Sequence, residues 1–451
     1  MRAKQVPRLS GKPSVWLTVL FLACLVAIPL IGGCGGKEKE TSTPSGTPTA
    51  TVTGSPTAAA TGTSTTTGEV PGITDTEIIL GADCPLTGAM AAVYATIPQA
   101  TKAYFDYIND TQGGVCGRKI VYKVADNQDD PAKGMEAVRK LVEQDKVFAI
   151  VGSLADNPHA AVWEYLNENE VPDILCSAGT HMFGADPKGH PWTVQMIPSY
   201  RAEGKTFGQY ISENLPGKKV GVLYPNIQQG LDHLQGVKEG LDPAKNEVVS
   251  EQSYEVTAVT VSSQVNNLKN AGAEVVTAIT TPGYTAQAVK QADRLGWHPQ
   301  WFLSYINSDP ILFQFVSAEL LDGAITGQSY KLADWTDDPA VAEHYRIMKE
   351  YGGPSPTNFT IYAQSLGEVA VEILSRTCDN LTRQGLMDSL ESLKDYHSDL
   401  LLDEVNITFS DTDHTAIQTS RMLKLTVQDG KGVWEYFGPI REYTESELLQ
   451  H

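Results

Sequence analysis

Residues 146–161 read Lys-Val-Phe-Ala-Ile-Val-Gly-Ser-Leu-Ala-Asp-Asn-Pro-His-Ala-Ala. The apolar run 147–151 has the pattern of a strand buried on both faces of a parallel sheet. Gly152 permits a sharp turn, Asp156 and Asn157 are cap-type residues, and Pro158 suits a first helical position. Ala161, Val162, Tyr165 and Leu166 then fall on one helical stripe. A strand end, a short loop and a helix N-terminus thus meet within about a dozen residues, the arrangement that gathers ligands at the carboxyl end of an open α/β sheet. Its chemistry is that of holding a polar or charged group. Gly-x-Ser-x-Gly, His-Glu-x-x-His and the full phosphate-binding Gly-x-x-x-x-Gly-Lys-Ser/Thr pattern do not occur in the chain. Nine histidines are scattered; His181 and His190 share a loop with no third ligand nearby. The pattern is that of a binding protein, with no catalytic residue, no metal ligand set and no cofactor expected.

The elements that position such a loop recur along the chain. Strands are expected at 77–82, 119–125, 147–151 and 171–175, with a helix between each and the next, which gives a parallel doubly wound sheet. Residues 192–196 read as a fifth strand leading to a crossing. A second unit then repeats the architecture: helix 201–214, strand 219–224, helix 229–240, strand 246–254, helix 260–271, strand 274–279, helix 284–295, strand 300–304. Residues 323–330 form a strand or a crossing. Helices follow at about 338–350, 359–377 and 383–392. The tail 401–437 turns to strands, with Asp429-Gly430-Lys431-Gly432 as a hairpin turn.

The 451-residue chain is 41% hydrophobic and 20% charged, enough for two or three ordinary domains. A net charge of -20 without a basic cluster argues against nucleic acid as a partner. Arg2, Lys4, Arg8 and Lys12 precede an apolar run at 15–31, and Leu30-Ile31-Gly32-Gly33-Cys34 closes it. This resembles a bacterial lipoprotein signal, which implies cleavage before Cys34 and a lipid anchor on its sulfur; an ordinary signal peptide is the plainer alternative. Residues 35–70 are rich in Thr, Ser, Gly, Pro and Ala and read as a disordered tether. Cys84, Cys116, Cys176 and Cys378 then sit in an oxidising compartment, where four cysteines allow three full pairings.

Several stretches, in order, resemble the leucine/isoleucine/valine-binding protein family, the solute-binding proteins of branched-chain amino-acid-type ABC importers. They are Gly81-Ala-Asp-Cys-Pro-Leu-Thr-Gly88, Tyr104-Phe-Asp-Tyr-Ile-Asn-Asp-Thr-Gln-Gly-Gly-Val-Cys-Gly-Arg-Lys-Ile120, Val147-Phe-Ala-Ile-Val-Gly-Ser-Leu154, Val220-Gly-Val-Leu-Tyr224, Ala286-Gln-Ala-Val-Lys-Gln-Ala-Asp-Arg-Leu-Gly-Trp297 and Asn380-Leu-Thr-Arg-Gln-Gly-Leu386. The resemblance implies a type I periplasmic binding protein fold: two α/β lobes of doubly wound parallel sheet joined by a three-crossing hinge that closes over a ligand. It divides the chain into a signal at 1–33, a tether at 34–70, lobe one at 71–198 plus 327–403, and lobe two at 199–326 plus 404–451.

In the family the loops after the third and fourth strands hold the ligand's carboxylate through hydroxyls and backbone N–H groups. Here those loops supply Asp156, Asn157, Ser177, Gly179 and Thr180. Ser177 and Thr180 suit that chemistry. Asp156 stands where the family has Ser or Thr, and it either caps a helix or faces the cleft, where it would favour an amine, amidine or amide. Lobe two offers Gln229, Thr281, Tyr284 and Tyr305, and Tyr94 either walls the cleft or packs elsewhere. The loop at 304–308 lacks the acidic residue that members place near the ligand ammonium, and Asp309 reads as a helix cap. The implied protein is a lipid-anchored, extracytoplasmic monomer that captures a small polar solute and passes it to an ABC permease in the membrane. A sensory module of the same fold, working with a separate signalling partner, is the alternative.

Overall fold

The computed structural model describes residues 69–443, which belong to one compact unit, Thr66–His451. The signal segment, Cys34 and nearly all of the tether lie outside the described residues. The first lobe begins with β1 (Glu77–Cys84), α1 (Ala91–Tyr94), α2 (Thr96–Thr111), β2 (Lys119–Asp126) and α3 (Pro131–Arg139). It continues with β3 (Ala149–Val151), α4 (Asp156–Glu168), β4 (Asp173–Cys176), α5 (Met182–Ala185) and β5 (Thr193–Gln195). The strands pair in parallel in the order β2-β1-β3-β4-β5. Every residue of β3 is buried, as its apolar run requires. The helix after it starts two residues earlier than Pro158 predicts. Ala155 takes the cap position at φ 93°, and Asp156 is already helical.

The second lobe holds α6 (Tyr200–Asn214), β6 (Lys219–Pro225), α7 (Gln228–Gly240), β7 (Glu247–Tyr254), α8 (Ser262–Asn270), β8 (Val275–Ala278), α9 (Pro282–Arg294), β9 (Gln300–Leu303) and β10 (Ile325–Gln328). Its strands run β7-β6-β8-β9-β10 in parallel, the same winding as the first sheet. Two antiparallel strands extend its far edge: β11 (Thr419–Gln428) on β10, then β12 (Lys431–Glu442) on β11. Glycines set the packing of α6 on α7. A Cβ on Gly204 would lie 2.3 Å from the His233 carbonyl oxygen, and one on Gly236 would lie 2.0 Å from that of Arg201. The two helix backbones therefore touch, which a larger residue would prevent.

Between β10 and β11 the chain returns to the first lobe as α10 (Pro339–Glu350), α11 (Asn358–Arg376) and α12 (Arg383–Glu391). Ile361, Leu366, Val369 and Ile373 of α11 share one buried core with Ile78, Leu80, Phe105 and Ile108. A disulfide joins Cys116, just before β2, to Cys378, just after α11. Cys84 and Cys176 are buried free thiols. None of the three full pairings is thus formed: the single bond staples the returning helices to the first βα unit, and the other two cysteines stay reduced.

The tail is less regular than expected, since strand structure resumes only at Thr419. Residues 401–418 instead serve the hinge. Gln195 bridges Thr415, Tyr330 bridges Leu401, and the Ser329 hydroxyl donates to the Thr419 carbonyl at 2.5 Å. Three crossings, near 196–199, 329–332 and 403–418, thus lie side by side between the lobes.

Candidate functional site

Identical winding places the switch points of both sheets, β1/β3 and β6/β8, at carboxyl ends that open on one cleft. The cleft encloses about 1500 Å³, its open mouth included. Lobe one contributes Leu154, Asp156, Asn157 and Ser177 from the loops after β3 and β4. Lobe two contributes Gln229 after β6, Thr281 and Tyr284 after β8, and Tyr305 after β9. The crossings form the floor with Ile197, Ser329, Tyr330 and Thr419. Tyr94 also lines the cleft and packs on Phe359, with ring centroids 5.6 Å apart.

Two of the sequence-predicted residues stand behind this wall. Gly179 does not line the cleft, and a Cβ there would lie 2.6 Å from the Tyr200 ring and 2.9 Å from the Tyr305 hydroxyl. It leaves room for Tyr200 and Tyr305, which stack 5.6 Å apart with an interplanar angle of 8°. Thr180 is buried, and both its backbone N–H (2.8 Å) and its hydroxyl (2.7 Å) donate to Oδ1 of Asp156. Asp156 thus bonds across to the loop after β4 from the first turn of its own helix, whose cap position belongs to Ala155. Its other oxygen faces the Tyr200 hydroxyl at 3.5 Å. Ser177 pairs with the Tyr362 hydroxyl of α11, and the Tyr284 hydroxyl donates to the carbonyls of Val256 (2.8 Å) and Ala258 (2.7 Å).

The lining residues not singled out from the sequence include Asp129, Tyr200 and Glu203. Asp129 belongs to the polar loop after β2, which reads as a helix opening. Gln128 and Asp129 both adopt left-handed backbone, with φ of 54° and 56°. Burial, then repulsion from Asp156 and Asp130, pushes the Asp129 carboxyl up to about 6. Burial also raises Asp156, against the lowering effect of its Thr180 bonds. Glu203 sits in the first turn of α6, where an acidic residue reads as a partner of the helix dipole. Its carboxylate accepts from the Tyr305 N–H at 2.6 Å and lies 3.3 Å from Nδ1 of His233. The only sequence signal for it was that first-turn position after the Ser199 cap.

Direct bonds also join the lobes. The His181 N–H donates to Asp232 of α7 at 2.8 Å, and Asn358 Nδ2 donates to the Ser308 carbonyl at 2.8 Å. Asp309 accepts from the Ile311 N–H at 2.9 Å, capping the turn that follows β9, and from the Phe359 N–H at 2.8 Å. It therefore caps one helical turn in each lobe.

A family model described as periplasmic binding protein matches residues 77–431. The chain belongs to this family. Its members are solute-binding proteins, and the two wound lobes with three crossings are the type I periplasmic binding protein fold. Among curated relatives, the Leu/Ile/Val-binding protein homolog 3 of Brucella melitensis biotype 1 is 26% identical over 200 residues, 44% of this chain. That match spans about half of the relative's length, 53%. A fatty acid ABC transporter substrate-binding protein from Thermomonospora curvata superposes with a TM-score of 0.73 at 22% identity, over 84% of this chain and 96% of that one. A branched chain amino acid ABC transporter from Thermus thermophilus with bound valine gives 0.70 at 19% identity, over 80% and 97%. At these identities the periplasmic binding protein fold is shared. Among the described residues, no helix is long and apolar enough to cross a membrane, and no group of three or more His, Cys, Asp or Glu could hold a metal ion.

Proposed function

We propose that this protein is an extracytoplasmic solute-binding lipoprotein, lipid-anchored at Cys34, that captures a small polar solute between its lobes and delivers it to an ABC importer. The observation that carries the reading is the cleft itself. Loops at the carboxyl ends of β3, β4, β6, β8 and β9 converge on it, and its floor is made of the three crossings. A solute touching both lobes stabilises the arrangement in which they approach, so binding and lobe closure are one equilibrium. Solute-binding relatives that work with ABC transporters support the delivery step. The Leu30-Ile-Gly-Gly-Cys34 stretch and the polar segment after it support the anchor.

Solute capture can be tested without naming the solute in advance. The purified full-length chain is incubated with a metabolite extract, washed and denatured, and the released small molecules are measured by mass spectrometry. One solute released at close to one per chain, and raising the melting temperature when added back, is the expected result. Release of nothing above a denatured control, together with no thermal shift from any fraction of the extract, would overturn solute capture.

A further inference from the structure

Among the described residues, those lining the interlobe cleft include Asp129, Asp156 and Glu203 and no lysine, arginine or histidine. A ligand anion would meet three carboxylates and no countercharge. The donors that could receive it after β4 are taken: Thr180 spends its N–H and its hydroxyl on Asp156. The positive end of the α4 dipole, which opens on the cleft, already has Asp156 in its first turn. One of these carboxylates sits on, and a second directly follows, backbone that non-glycine residues adopt at a cost. Asp129 is left-handed at φ 56°, and Ala155, immediately before Asp156, is at φ 93°. Such strain persists where the surrounding structure holds a group for a purpose.

The rest of the wall suits the same kind of guest. Tyr94, Tyr200, Tyr254, Tyr305 and Phe359 give it aromatic rings, whose faces attract cations. At the floor, Tyr330 is 4% exposed, lines the cleft, and its hydroxyl has no hydrogen-bond partner among the described residues. A buried hydroxyl left in this state is short of a polar partner, and the cleft is where one can arrive.

We propose that the cleft takes an organic cation, a protonated amine on a compact apolar or aromatic body without a carboxylate, with Asp156 and Asp129 facing the positive charge. This rests on the solute-capture reading and narrows it to a substrate class. Asp156 keeps Oδ1 on Thr180 and turns Oδ2, which the Tyr200 hydroxyl meets only at 3.5 Å, to the cation. Asp129 stands beside it, and the ring faces enclose the ligand's body.

The test holds the body constant and changes the head group. Phenethylamine, phenylacetamide, phenylacetate and phenylalanine form one series; isopentylamine, isovaleramide, isovalerate and leucine form the other. Each is titrated at up to millimolar concentration into the full-length chain by calorimetry and thermal shift. Binding by an amine, with its matched acid and amino acid silent, is expected. Asp156→Asn and Asp129→Asn should each weaken the amine by about tenfold or more while circular dichroism shows the fold retained. Binding by an acid or an amino acid in preference to its amine would overturn the cation assignment and leave solute capture standing. An amine that binds equally well to both variants would overturn the roles of the two carboxylates. Silence of both amines would overturn the assignment as stated, and solute capture would then stand or fall on the extract experiment alone.

Discussion

The Cys116–Cys378 bond closes a loop spanning a sequence separation of 262 residues. The chain-entropy account assigns about 5.6 kcal/mol to a cross-link of this length, because the unfolded chain loses most freedom when distant points are tied. The native structure is already arranged around the bond. The residues just before β2 and just after α11 are held by the core that α11 shares with α2, so Cys116→Ser/Cys378→Ser leaves those contacts in place. The cost should therefore fall mainly on the unfolding equilibrium, and residual unfolded structure reduces it to about 2–5 kcal/mol. Against a typical stability of about 5–15 kcal/mol, that is a large fraction. The assay is denaturant unfolding of wild type and the double serine variant, followed by circular dichroism, with midpoints and slopes compared. A loss below about 1 kcal/mol with an unchanged slope would refute the reasoning. So would peptide mapping of the oxidised protein that paired Cys116 with Cys84 or Cys176.

Asp129, raised to about 6 from an ordinary 3.8, binds protons in the folded state that the unfolded chain does not hold between those values. The ligand-free protein should therefore gain stability as pH falls through about 6 toward 3.8, and this component should vanish in Asp129→Asn. Comparing the two isolates Asp129 from Asp130, Asp156 and Tyr94, which face it. Affinity for an amine should move the opposite way, falling as Asp129 protonates, and calorimetry over the same pH range checks the crossing of the two trends. Asp309→Ala removes the acceptor of two N–H groups in different lobes and should cost about 2–4 kcal/mol. Asp309→Asn, which keeps one carbonyl oxygen, should cost less; equal midpoints for the two variants would refute the double-cap account. Gly236→Ala pushes a Cβ to 2.0 Å from the Arg201 carbonyl oxygen, whereas Gly283 in α9 has no neighbouring atom within 4 Å of its Cβ position. The first should destabilise by about 1–3 kcal/mol despite alanine's better helix propensity, and the second should be neutral or stabilising. Thermal unfolding of the pair reads the difference in sign.

The alternation of apolar runs with amphipathic helices was enough to fix the two doubly wound units, because a parallel strand buried on both faces must be apolar throughout and must be followed by a crossover. The runs at β1, β3, β6 and β8 carry that information in their own residues. Cleft-facing loops were legible for the same reason: carboxyl ends of strands at a switch point face the crevice whatever their sequence, and Asp156, Ser177, Gln229, Thr281 and Tyr305 line it. Boundaries and partners were not local properties. Pro158 gave the wrong start for α4 because Ala155 takes an unusual backbone conformation that no propensity encodes. Residues 401–418 read as strand, yet they spend their hydrogen bonds on crossings that exist only once both lobes have formed. Glu203 and Asp129 looked like ordinary helix-opening residues. The packing of α6 on α7 and the left-handed turn after β2 brought them to the cleft. Periodicities, strand-end loops and the acidic balance follow from side-chain type and spacing, so they could be read along the chain. Which cysteines meet, that Thr180 is occupied by Asp156, and that three carboxylates share one cleft could not. Those outcomes depend on distances between segments far apart in the chain, and closing those distances is the work of the assembled core.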